Sequence, residues 1–295
     1  MLRSRKTIRS LLSSAYERVS ILLYHRIAPS ATPGGLRVIS PDLFEEQLRI
    51  LKKDYHVISL ETYVRAHVHG FDALEQKTGK HYVVITFDDG YQDNYQFAFP
   101  LLKKYNLPAT FYVSTGFVEN PNMRCPDDAN MHHETFLSWK EIQEMAEHPL
   151  VQIGAHTVSH PRLTNVPIDQ AAEEIHRSKV ILEQQLGKPI TTFAYPFGTA
   201  LDVNRELSER VRQLGFTSAM TTMHGMNNAL SNVFRLRRIE AAFDRKNFVM
   251  RLGYFHTIWY GSLYVIWLRV LKNPMRVIQK RFPNIYRGMK GFFKM

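Results

Sequence analysis

The chain has 295 residues, 44% apolar and 22% charged, which is enough to bury a sizeable core and excludes a disordered or fibrous protein. Its single cysteine, Cys125, excludes an intramolecular disulfide and fits a reducing or an oxidising compartment equally. The net charge of +11 is local: residues 245–295 hold eleven Lys or Arg and no Asp or Glu, so residues 1–244 balance at 27 basic against 27 acidic.

The opening segment, MLRSRKTIRSLLSSAYERVS, is basic but never reaches an uninterrupted apolar run. Glu17 and Arg18 fall where a secretory apolar region would continue, so residues 1–20 are expected to be a basic N-terminal segment without a cleavable signal peptide. Between residues 21 and 243, short apolar runs alternate with helix-length amphipathic segments, the pattern of repeated βα units around a largely parallel sheet. Strands are expected at Ile21–Tyr24, Tyr82–Phe87, Ala109–Val113, Val151–Gly154, Thr192–Tyr195 and Thr217–Ala219. Helices are expected at Pro41–Asp54, Tyr95–Tyr105, Ser138–His148, Ile168–Leu186 and Asp202–Leu214; Ser40-Pro41 announces the first, a cap followed by proline in the opening turn. Glu119 to Thr135, rich in Pro, Asn, Asp and His, is longer than a βα connection needs and suits the wall of a substrate groove.

Two clusters carry chemistry. In HYVVITFDDGYQDNY an apolar strand runs straight into Asp88 and Asp89, putting adjacent carboxylates at the rim where barrel active sites collect. Two neighbouring carboxylates repel unless a cation or a shared proton relieves them, although DDG is also ordinary turn chemistry. In VQIGAHTVSHPRL, His156 and His160 follow another strand four residues apart, close enough to share one metal. Together the clusters offer one carboxylate and two imidazoles as ligands and a spare carboxylate as base, the layout of metal-assisted hydrolysis. His132 and His133, with Cys125, could suggest a second metal site, but solvated loop residues or substrate contacts suit that segment better.

TFDDG, HTVSH and FAYPFG, in that order on alternating βα units, resemble the polysaccharide deacetylases, the NodB homology domain or family 4 carbohydrate esterases, over about residues 21–243. The resemblance implies an α/β fold, a distorted (β/α)7 barrel. It implies that Asp89, His156 and His160 bind a divalent metal, usually zinc, and that Asp88 deprotonates the attacking water. By the same resemblance the backbone N–H of Phe197 helps hold the oxyanion, Pro196 and Gly198 shape its turn, and Tyr195, Pro196 and Tyr91 contact substrate. The family's arginine two residues before the motif proline is Ala194 here, and Arg235, Arg237 or Arg238 could replace it. The late general-acid histidine is also missing, but ILLYHRI resembles the opening of the branch acting on poly-N-acetylglucosamine, which makes His25 the candidate acid; a strand-end histidine held by a carbonyl is the alternative.

The implied reaction removes an N-acyl group, most simply acetyl, from an amino sugar in a polymer or a polyprenyl-linked glycan. The competing readings are a deacetylase of exported exopolysaccharide or peptidoglycan anchored on the outer face of the membrane, and a carbohydrate-binding pseudoenzyme. Residues 244–295 read as a basic, amphipathic extension. Phe255, Ile258, Trp259, Leu263, Ile266, Trp267 and Val270 recur at helical spacing, as in a helix lying on an anionic membrane surface. A spanning segment and a terminal helix packed on the barrel are the alternatives. Aromatic residues interleaved with the charges argue against nucleic acid, and a cytoplasmic enzyme on the inner face of the plasma membrane is the expected location.

Overall fold

In the computed structural model, residues 18–29, 38–70, 81–120, 122–123, 135–241 and 245–252 are described. The chain divides into two compact units, Met1–Val249 and Met250–Met295. The first begins with strands β1 (Val19–Tyr24), β2 (Arg26–Ile27) and β3 (Val38–Ile39), helix α1 (Pro41–Asp54), β4 (His56–Val57), α2 (Leu60–His69) and β5 (Tyr82–Phe87). A π-helical turn at Asn94–Ala98 leads into α3 (Phe99–Tyr105), followed by β6 (Ala109–Val113), α4 (Thr115–Glu119), α5 (Trp139–Glu147) and β7 (Val151–Ala155). Then come α6 (Ile168–Leu186), β8 (Thr192–Ala194), α7 (Arg205–Gln213), β9 (Ser218–His224), β10 (Leu236–Glu240) and α8 (Arg245–Leu252).

Seven strands close on themselves. The sheet runs β1-β10-β9-β8-β7-β6-β5 with every neighbour parallel, and β5 returns to β1 in continuous register from Val19 opposite Tyr82 to Tyr24 opposite Phe87. β4 lies on β5 outside this ring. The result is the expected distorted (β/α)7 barrel, with all C-terminal strand ends at one rim. A cavity of about 520 Å³ at the other rim, between α2 and the starts of β7, β8 and β9, holds none of the expected site residues.

Helix starts follow their capping chemistry. Ser40 accepts from Leu43 N at 3.3 Å and Pro41 opens α1, while Ser138 and Glu141 form a reciprocal capping box on α5. α1 presses Phe44 edge-on against Tyr24 and Phe87, whose rings stack outside the barrel with Phe111. Inside, Val84, Tyr112, Ala194, Met220 and Leu236 form an apolar plug with Leu60, Tyr63 and Val64 of α2.

β10 and α2 are additions to the sequence reading, as are the short elements β2, β3, β4, α4 and α8. β10 closes the barrel although it reads LRRIE, because its inward arginine, Arg238, is neutralised inside rather than replaced by an apolar residue. The helix expected from Tyr95 begins instead with the π-helical turn. The expected N-terminal segment falls outside the described residues up to residue 17, as do Cys125, His132 and His133 and the tail beyond Leu252. Among the described residues, no helix is long and apolar enough to cross a membrane.

Candidate active site

Strand parity brings the first carboxylate to the centre. Side chains alternate along β5, so Val84 and Thr86 point into the barrel and Asp88 continues that face at the C-terminal rim. Asp89 would then point outward, but it adopts a left-handed φ of 74° and Gly90 one of 79°, which turns the second carboxylate back over the rim. Both side chains are buried.

From β7 the same parity delivers His156, and the turn after it delivers His160. The Nε2 atoms of the two histidines lie 3.2 and 3.3 Å from the same oxygen, Asp89 Oδ1, and the rings meet at 67°. Ligand atoms of Asp89, His156 and His160 all fall within 4.8 Å of one another, with all three residues buried. His156 Nδ1 donates to Ala194 O at 2.7 Å, which fixes the tautomer and leaves Nε2 for a ligand. Two imidazole nitrogens crowding one carboxylate oxygen make a proton-bridged cluster or a cation's cage, and one oxygen with two nitrogens fits zinc with positions left open. Burial opposes charge on Asp89, but hydrogen bonds from His156 and His160 outweigh it and hold the carboxyl well below its ordinary value. Burial likewise disfavours charge on His156, yet the hydrogen bond to Asp89 and the nearby carboxylates raise its pKa.

Arg238 supplies what Ala194 cannot. Its Nη1 and Nη2 donate to Asp88 Oδ1 and Oδ2 at 2.7 and 2.6 Å, a bidentate pair with both partners buried. Its Nε donates to Thr221 O at 2.8 Å, fixing the guanidinium across the barrel interior. Burial pushes the Asp88 carboxyl up, but the charges of Arg238 and His156 prevail and hold it below the ordinary range. Of the three arginines considered, Arg237 is exposed and reaches His224 O, and Arg235 bonds Ser208 Oγ.

His25 follows β1 at the same rim, buried, and its charge acts on both Asp88 and Asp89. Its backbone is pinned by the end of the DDGYQDN run. Asn94 Nδ2 donates to His25 O at 2.8 Å, while Asp93 accepts from Ile27 N and Arg26 Nε at 3.1 and 2.8 Å. The residues that follow Asp88 and Asp89 thus fix the strand end that carries the histidine.

The FAYPFG turn stands beside His160. Phe197 has a left-handed φ of 58°, its ring lies 5.0 Å from that of His160, and Arg162 covers it at 3.8 Å while pairing with Asp202. Thr222 Oγ1 donates to Phe197 O, and Thr222 N to Gly198 O. A Cβ at Gly198 would stand 2.8 Å from Thr222 N, so only glycine fits there. Pro196 is buried in this turn. Tyr195 departs from expectation: it takes the outward parity, fully buried, with its ring edge-on to Phe193 and its hydroxyl on Phe234 O, so it braces the barrel rather than facing substrate. Tyr91 is mostly buried in a stack with Phe136, itself stacked on Phe117, and Arg26 covers the Tyr91 ring.

The geometry agrees with independent likenesses. The family described as polysaccharide deacetylase matches residues 75–219. YxkH of Bacillus subtilis (strain 168) is 27% identical over 225 residues, 76% of this chain and 72% of YxkH. The poly-beta-1,6-N-acetyl-D-glucosamine N-deacetylase of Staphylococcus aureus (strain MRSA252) is 30% identical over 56% of this chain and only 55% of its own length. Among solved structures, the Streptococcus pyogenes deacetylase PplD in complex with acetate is 29% identical with a TM-score of 0.66, over 80% of this chain and 98% of PplD. A closed seven-stranded barrel, the motif residues gathered at its C-terminal rim and these likenesses together establish that the chain belongs to the polysaccharide deacetylase family.

Proposed function

We propose that this polysaccharide deacetylase is a metal-dependent N-deacetylase of N-acetylglucosamine-type glycans, using Asp89, His156 and His160 as cation ligands, Asp88 as base and His25 as acid. The observation that carries this reading is the segregation of the two carboxylates: Asp89 is committed to the histidines, whereas Asp88 is committed to Arg238. A divalent cation held there supplies a water of lowered pKa and positive charge beside the substrate carbonyl.

Asp88, kept ionised by Arg238, accepts the proton of the attacking water. The Phe197 N–H, on a turn pinned by Thr222, donates to the carbonyl oxygen as it gains charge. His25 protonates the departing nitrogen, because an amide anion is too poor a leaving group. Water and an N-acetyl sugar become a free amine and acetate. The S. aureus relative, by its name, supports a poly-N-acetylglucosamine substrate. Acetate release from N-acetylglucosamine oligomers by zinc-loaded protein tests the reading, and no release from these or from extracted lipid-linked glycans contradicts it.

The composition of residues 245–295 supports a second element, attachment to an anionic membrane surface on the cytoplasmic face, where a polyprenyl-linked glycan would be the substrate. Protease accessibility in spheroplasts tests this, and cleavage from outside contradicts it.

A further inference from the structure

The two histidine ligands are joined by a turn that is costly to hold. Between His156 and His160 the chain must reverse enough to aim both rings at Asp89, and it does so with left-handed φ at two residues other than glycine, Thr157 at 68° and His160 at 58°. Such a turn persists only if its surroundings fix it. Part of the fixing is local: His160 N donates to Thr157 Oγ1 at 3.1 Å, and Thr115 N and Gly116 N of α4 donate to Thr157 O and Val158 O at 3.2 and 2.9 Å.

Two further N–H groups of the turn converge on a single carboxylate from another helix. Val158 N and Ser159 N both donate to Glu174 Oε2 at 2.9 Å, and the Ser159 hydroxyl donates to Oε1 at 3.0 Å. Glu174 lies on the second turn of α6, between the buried Ala171 and Ile175, so the helix is seated on the barrel where this carboxylate is presented. Among the described residues those two N–H groups have Glu174 as their acceptor.

We propose that Glu174 is a positioning residue for the cation cage, holding the His156–His160 turn in its ligating conformation without touching a ligand side chain. This rests on the reading that Asp89, His156 and His160 bind a divalent cation. Neutralising two adjacent N–H dipoles with one anion stabilises the strained turn, so both imidazoles remain aimed at one point when no cation is there to gather them.

The test is zinc affinity of the full chain, stripped by chelator and titrated against a competing chromophoric chelator. Glu174→Ala and Glu174→Asp, whose carboxylate is one methylene short, are expected to bind zinc roughly ten- to a hundredfold more weakly than wild type. Glu174→Gln restores most of the affinity, since its amide oxygen accepts both N–H groups and its amide nitrogen donates to Ser159 Oγ. Glu183→Ala is the matched control: Glu183, on the same helix, accepts from Ile190 N at 3.0 Å, far from the cage, and its loss leaves zinc affinity within about threefold of wild type. Melting of the stripped proteins separates a general loss of stability from a loss confined to binding. Tight binding by wild type with equal affinity in Glu174→Ala and Glu174→Asp overturns the role of Glu174, whereas a wild type that binds no zinc overturns the cage itself.

Discussion

Arg238 and Asp88 meet through two parallel N–H···O bonds inside the barrel, joining the last strand of the ring to the rim of β5 150 residues earlier in sequence. The pair closes the barrel chemically as β10 closes it topologically. It also separates two adjacent carboxylates, since Asp88 pairs with a fixed guanidinium while Asp89 pairs with His156 and His160.

Removing that guanidinium should be expensive. Arg238→Met leaves Asp88 buried without its partner, with an expected loss of about 3–5 kcal/mol in chemical denaturation. Asp88's folded pKa lies below the ordinary carboxylate value, so its contribution to stability is present above about pH 4 and is lost as pH falls through the folded value. The gap between wild type and variant should therefore be widest near neutrality and narrow in acid. The acid limb of kcat/KM should also move to higher pH, because burial then acts on Asp88 without opposition from Arg238; an unmoved limb would count against Asp88 as the base.

The sequence makes the barrel and most of its rim legible because parallel strands buried on both faces are near-continuous apolar runs, and the runs Tyr82–Phe87 and Ala109–Val113 coincide with β5 and β6. β10 was not legible as a strand. An inward Arg238 breaks the apolar pattern, and only its distant partner Asp88 explains it. Motif adjacency alone does not place Tyr195, because strand parity sends alternate residues along β8 to opposite sides. Glu174 left no local signal, since a carboxylate on an amphipathic helix looks like ordinary solvated charge until the fold brings the histidine turn against it.

Zinc and protons should compete for the cage. His156 has a raised pKa and must lose its proton to ligate, whereas Asp89 is ionised well into acid. Zinc affinity should rise between about pH 6 and pH 8, with proton release on binding. Over the same window the stripped protein should lose stability, because a raised histidine pKa stabilises below about 6.5 and that contribution disappears as pH rises through the folded value. Calorimetric titration in buffers of different ionisation enthalpy, together with melts of both forms, checks these opposite slopes; an affinity flat with pH contradicts the proposed ligand set.

His25 should matter only when the leaving group needs a proton. His25→Gln is expected to lower kcat for an N-acetyl sugar by about 10²- to 10⁴-fold. With an activated aryl acetate, whose leaving oxygen departs as a stable anion, the loss should be far smaller. Equal losses on both substrates would assign His25 to structure rather than to proton donation. Asn94→Ala, which frees the His25 carbonyl, should show the same substrate dependence in weaker form.

The tail has its own test. Full-length protein should cosediment with vesicles containing anionic lipid and be released as salt rises, while a chain ending at Leu252 should stay in solution. Equal partitioning of the two would remove the membrane from the proposed function.

The most direct measurement compares wild type with Asp88→Asn for zinc content and acetate release from the same N-acetylglucosamine oligomers. The predicted result is that both proteins hold one zinc, because Asp88 is bound to Arg238 rather than to the cage, while acetate release in the variant falls by about 10² or more. Undiminished release by zinc-loaded Asp88→Asn would contradict the division of labour between the two carboxylates.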